Sequence, residues 1–219
     1  MSALINTANS LQNLLDKFRG IDFLGPLALR LYLAPIFIAV GLHKFMNIDD
    51  ISSWFGNPDW GLGLPAPTLM AYLAASAELF GGIALLFGIA VRWFAIPLMI
   101  TMLVATFSVH WENGWFAIAP SNPETSTAKP LASLGIPAAK RSLENSIEVM
   151  KRLGEAKSFL KKHDNHDWLH EKGSFVVLNN GVEFSVTYFI MLLVLFFIGA
   201  GKYLSIDYWI SKKYRENIA

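Results

Sequence analysis

The stretch AASAELFGGIALLFG, residues 74–88, holds a single ionisable side chain, Glu78, among fourteen uncharged residues. A carboxylate in such a run can bind a head group, carry a proton, or pair with a cation and lock two helices together. The matching cation is Arg30, which stands inside the apolar run 24–45. Gly81 and Gly82 follow Glu78 by one turn and thin the helix, which admits either a neighbouring helix or a ligand. A second set collects where apolar runs end: His43 and Lys44, then His110, Trp111, Glu112 and Asn113, then Glu183. Two imidazoles on separate helices at matching depth suit a metal site, a proton path or a partner for a quinone carbonyl. Taken singly, Lys44 can snorkel to water and Trp111 can sit in an aromatic belt. The third set is KKHDNHDWLHEKG, with His163, His166 and His170 at i, i+3 and i+7 and Asp167 nearby. On a helix these histidines share a face and make a zinc or copper donor set; otherwise they belong to a solvated loop.

These residues need elements to hold them, and composition says which. Of 219 residues, 53% are hydrophobic and 16% charged, against about 25% charged in soluble domains. Crossing a hydrocarbon layer of about 30 Å takes roughly 20 apolar residues. Four segments qualify, at about 24–45, 67–90, 93–111 and 182–204. The expected fold is therefore an all-α integral membrane protein, a bundle of four transmembrane helices. Pro67 suits a helix start, Pro97 lies in a first turn, and Pro35 should kink the first helix. Lys17 and Arg19 precede the first span, Arg92 fills the turn between the second and third, and Lys212, Lys213 and Arg215 follow the fourth. Residues 46–66 are expected to form a loop and contain no Lys or Arg. The positive-inside rule then puts both termini in the cytoplasm and the 70-residue segment 112–181 outside, because long loops escape the rule despite their charge. Within that insertion, Leu143, Ile147, Met150 and Leu153 recur near 3.6 spacing, which predicts an amphipathic helix at about 138–162.

With this topology Glu78 lies roughly 16 Å from the outer end of its span, and Arg30 about 9 Å from the inner end of its own, at 1.5 Å per residue. The depths differ by about 5 Å, so Arg30 and Glu78 are expected to pair. Residues 1–22 lack the form of a signal peptide, since Lys17 and Arg19 come after the apolar positions. Leu4, Leu11, Leu14, Leu15 and Phe18 can share the face of a helix lying on the membrane surface. Net charge is +1, so no basic field points to nucleic acid. The chain has no cysteine, which excludes disulfides, thiolate metal sites and thiol redox steps of its own. There is no phosphate-binding glycine loop and no GxSxG, and no pair of mid-depth histidines to hold a haem.

The pieces LRLYLAPIFIAVGLHKF, SAELFGGIALLFGI, AIPLMITMLVATFSVHW and GAGKYLSIDYW, in this order, resemble the DoxX family of small bacterial membrane proteins. They span residues of about 27–115 and 183–209. The resemblance implies a four-helix membrane bundle and marks Arg30, Lys44, Glu78, Gly81 and Gly82, with Gly199, Gly201 and Asp207 in the closing piece. It also implies a link to thiosulfate:quinone oxidoreductase subunits and oxidative-stress complexes, or, for other members, to systems that make metal-binding peptides. The insertion at 112–181 departs from the short members of the family.

The leading expectation is an accessory component of a redox system in the bacterial inner membrane, binding a quinone-like or amphipathic ligand inside the bundle. Its candidate catalytic set is Glu78, Arg30, His43 and His110. The ligand-binding set is Lys44, Gly81, Gly82, Trp111, Asn113 and Glu183, and a quinone is the cofactor such equipment suits. Its partners would be the lipid bilayer, a membrane or periplasmic redox protein, and a second copy of the chain. The rivals are a transport or assembly factor for a metal-binding peptide or a copper or zinc ion, held by His163, His166 and His170 or by His43 and His110, and a structural scaffold subunit.

Overall fold

A computed structural model describes residues 2–162 and 166–214, the side chains of residues 2, 3 and 166 excepted. The chain is all-helical: the described residues contain no strand, only an isolated antiparallel bridge between Ile118 and Leu178. It divides into two compact units, Met1–Leu103 with Tyr188–Ala219, and Val104–Thr187.

The first unit begins with α1 (Ser2–Asp16) and a short 3-10 turn, Lys17–Ile21. Leu4, Leu11, Leu14 and Leu15 of α1 are all exposed. Next come α2 (Leu24–Met46), α3 (Ile48–Gly56), α4 (Pro67–Phe87) and α5 (Val91–Val104). The helices Leu24–Met46 and Pro67–Phe87, and the continuous helical run Val91–Asn113, are long and apolar enough to cross a membrane. α3 falls in a stretch read from sequence as a plain loop. Its signal was present: Asp49 and Asp50 favour a helix N-terminus, and Ile48, Ile51 and Phe55 repeat on one face.

The fourth apolar helix, α9 (Glu183–Ile198), is shorter than the expected span 182–204. Its sixteen residues rise only about 24 Å. The helix stops because Gly199 and Gly201 take φ of 76° and 83°, left-handed values that glycine reaches without strain and that end helices. The chain then turns into α10 (Ile206–Tyr214).

Leu33 and Phe37 of α2, Leu85 of α4, Leu98 of α5 and Leu192 and Leu195 of α9 form one buried core. Large apolar side chains cover the outside instead: Leu31, Phe80, Ile100 and Phe197 are each about half exposed or more. The charged residues Arg30 and Glu78 are 1% and 2% exposed. Polar groups inside and apolar groups outside is the arrangement a lipid solvent selects.

The second unit holds the end of the third apolar run as one π turn (Ala105–His110) and one 3-10 turn (Trp111–Asn113), then α6 (Ala128–Ser133), α7 (Pro137–Lys161) and α8 (His166–His170). Two segments, 114–119 and 177–183, run antiparallel and exchange backbone hydrogen bonds, among them Ala119 N to Val177 O at 2.9 Å and Val182 N to Gly114 O at 2.9 Å.

Candidate functional site

Two glycines set how α2 and α4 meet. A Cβ on Gly41 would lie 2.5 Å from the backbone nitrogen of Leu79, and one on Gly82 would lie 2.8 Å from that of Ile38. The helices are antiparallel and in backbone contact at both points, so residue numbers facing each other add to about 120. Gly81 faces the other way, onto the side chain of Leu98 in α5. Both glycines proposed as ligand contacts therefore meet a neighbouring helix.

This register corrects the expected pairing of Arg30 with Glu78. Arg30 comes level with Gly88 at the end of α4, about 15 Å along the helix from Glu78. α2 starts about nine residues beyond the end of α4, a stagger that depth counted from span ends cannot reveal. Glu78 pairs instead with Lys44, whose Nζ donates to Oε1 at 2.6 Å. The side chain of Lys44 keeps 20% of its surface in contact with solvent and that of Glu78 only 3%. The second carboxylate oxygen, Oε2, is buried with no hydrogen-bond partner among the described residues. His43, one residue earlier, is turned about 100° around the helix and is exposed.

Arg30 serves the opposite end. Its Nη2 donates to the carbonyl of Leu204 at 2.7 Å, while Nε and Nη1 are buried without hydrogen-bond partners among the described residues. Gly88 leaves the room it needs: any Cβ there would collide with the guanidinium. Asp207 acts on Arg30 electrostatically and caps α5, accepting from Ala90 N at 2.6 Å and Val91 N at 3.0 Å. An anion at a helix N-terminus satisfies orphan N–H groups and the positive end of the dipole. Gly199, Gly201 and Asp207 thus bend the chain so that α10 clamps the turn between α4 and α5.

In the second unit, His110 Nδ1 lies 2.8 Å from the carbonyl of Asn180. A carbonyl only accepts, so Nδ1 carries the proton and Nε2 is the lone-pair nitrogen of the neutral ring. Asn113 Nδ2 donates to the same carbonyl at 3.2 Å, and Asn179 Nδ2 donates to the carbonyls of Asn113 and Phe116. Glu183 accepts from Ala117 N at 2.9 Å and is engaged with backbone. Trp111 is exposed beside Phe107, ring centres 5.3 Å apart. Sequence reasoning missed the Thr106–Ser185 hydroxyl pair at 2.8 Å, which is buried in this unit. Among the described residues no group of three or more His, Asp or Glu converges to hold a metal. His163 lies outside the described residues, only the backbone of His166 is described, and the ring of His170 packs on Phe175 at 5.0 Å.

Apolar helices long enough to cross a bilayer, packed around buried charges, define a multi-pass membrane protein embedded in lipid. Residues 25–111, from α2 to the end of the third apolar run, match the model of the DoxX family. The protein named Putative oxidoreductase CatD from Bacillus subtilis (strain 168) is 35% identical over 86 residues, which are 39% of this chain and 60% of the relative. The chain thus spans about three fifths of that relative's length. No solved structure matches it.

Proposed function

We propose that the protein is an accessory component of a redox system in the bacterial inner membrane, taking a quinone-like or other amphipathic ligand at the Lys44–Glu78 pair. The DoxX match and the relative named Putative oxidoreductase CatD support a redox-associated role. The observation that carries the site is the buried, unpartnered Oε2 of Glu78. A buried carboxylate oxygen without a partner costs about 1–3 kcal/mol or more, and the hydroxyl of the reduced, quinol form of the ligand removes that penalty. Access to the pair is from the Lys44 side. Lys44 touches the ligand's oxygen, and Glu78 behind it, an anion at rest, takes up and passes on a proton. A quinone supplies the electron-carrying chemistry, taking up two electrons and two protons, the electrons from a partner redox protein.

In this reading α9 is a fourth crossing, the insertion 112–181 lies outside and both termini are cytoplasmic, as the placement of Lys and Arg favours. The test is quinone content and quinone-induced thermal stabilisation of protein purified in mild detergent. Wild type should bind a quinone analogue and Glu78→Gln should not. A wild-type protein that neither carries quinone nor responds to it would overturn the proposal.

A further inference from the structure

About 27 Å along α2 from Lys44, at 1.5 Å per residue, a groove of about 1040 Å³ opens beside the Asp207 cap. The start of α2, the start of α5, the end of α9 and α10 enclose it, all within the first unit. Its walls are of two kinds. Pro26, Ile96, Phe196 and Ile210 present an apolar surface, while Arg92 and Lys202 supply cations and Trp93 and Tyr208 supply aromatic rings. Aromatic rings of this kind gather where hydrocarbon meets head groups, and Trp93 is 77% exposed.

The groove lining holds two carboxylates, Asp22 and Asp207, and two cations, Arg92 and Lys202. Its carboxylates are already engaged: Asp22 with Lys202 at 3.0 Å, Asp207 with the N-terminus of α5. Arg92 has no carboxylate partner among the described residues; its Nε donates to the carbonyl of Phe196 at 2.8 Å. That bond, with the guanidinium carbon 5.8 Å from the centre of the Phe196 ring, holds the head group over the groove and leaves both Nη groups for an anion. Arg19 is paired with Asp16 at 3.0 Å, while Lys17 precedes Asp22 in the chain and Lys212 and Lys213 follow Ser211, so further cations stand next to the lining in the chain.

We propose that this groove binds one anionic phospholipid, its phosphate on Arg92 and its acyl chains along Trp93, Ile96 and Phe196. Basic pockets between transmembrane helices are the usual hosts of such head groups, and an arginine fork matches phosphate oxygens. The site is separate from the Lys44–Glu78 pair, so failure of one reading leaves the other standing.

The experiment is native mass spectrometry of purified protein equilibrated with equal amounts of phosphatidylglycerol and phosphatidylcholine bearing identical chains. Wild type should retain phosphatidylglycerol preferentially, and Arg92→Gln should reduce that preference about fivefold, since one interfacial cation is worth about 1 kcal/mol. Arg92→Lys keeps the charge and should keep most of the preference, which separates loss of charge from loss of fold. Glu78→Gln should change nothing here. Equal retention of the two lipids by wild type, or an unchanged preference in Arg92→Gln, overturns the proposal. Displacement of the bound lipid by inorganic phosphate alone also overturns it, because the acyl chains would then contribute nothing.

Discussion

Removing Lys44 should destabilise the protein far more than removing the charge of Glu78, although the two share one ion pair. In Lys44→Met a carboxylate that is 2% exposed loses its only hydrogen-bond partner among the described residues. Breaking a buried pair from one side costs about 3–5 kcal/mol. Lys44 is partly exposed, and Glu78 can take up a proton once its partner is gone, so the low end applies, about 3 kcal/mol. Glu78→Gln leaves the ammonium group instead, which can extend its flexible stem to water, and should cost about 1 kcal/mol. The double variant Lys44→Met, Glu78→Gln should resemble Glu78→Gln alone. It should fall about 3 kcal/mol short of additivity, since contacting charges couple strongly. Reversible denaturation in mixed micelles would measure all three variants. Equal losses from the two single substitutions, or an additive double variant, would refute the claim that Glu78 is a buried anion held by Lys44.

Gly41→Ala should cost about 1–3 kcal/mol, the usual price of overpacking, because its new methyl would meet the backbone of Leu79; Gly25→Ala, with nothing within 4 Å, should be neutral or slightly stabilising in the same assay. Asp207→Ala removes the cap from two N–H groups at the start of α5 and should lose about 1–2 kcal/mol, with faster amide exchange at Ala90 and Val91 as the local readout. Asp22 holds the Lys202 ammonium above the ordinary lysine value of 10.5 through a hydrogen bond and its charge. Lys202 thus favours the folded state at pH below that value, and the contribution disappears as pH rises through the raised value. Melting curves across this alkaline range should fall more steeply for wild type than for Lys202→Met.

The placement of the first three apolar helices was legible because lipid imposes a length on any run that crosses it. Burial of Glu78 and Arg30 was legible for the same reason: neither can face hydrocarbon. The partner of each was not. Arg30 and Glu78 were matched by depth from span ends, whereas the contacts at Gly41 and Gly82 stagger the helices by about nine residues and bring Lys44 over Glu78. The fourth apolar helix was read too long because GAGKYL is apolar enough to continue a hydropathy window. Only the backbone turn at Gly199 and Gly201, secured by Asp207 on α5, ends the helix there.

By itself, then, the sequence determined the solvent, the helical class and which side chains must hide from lipid. Those follow from composition and the rise of a helix, both local properties. The tertiary structure alone decided the pairings: Lys44 with Glu78, Arg30 with the carbonyl of Leu204, His110 with the carbonyl of Asn180. Each depends on how far one element slides along another, and close backbone contact at glycine sets that slide for α2 and α4, where a single added methyl would change it.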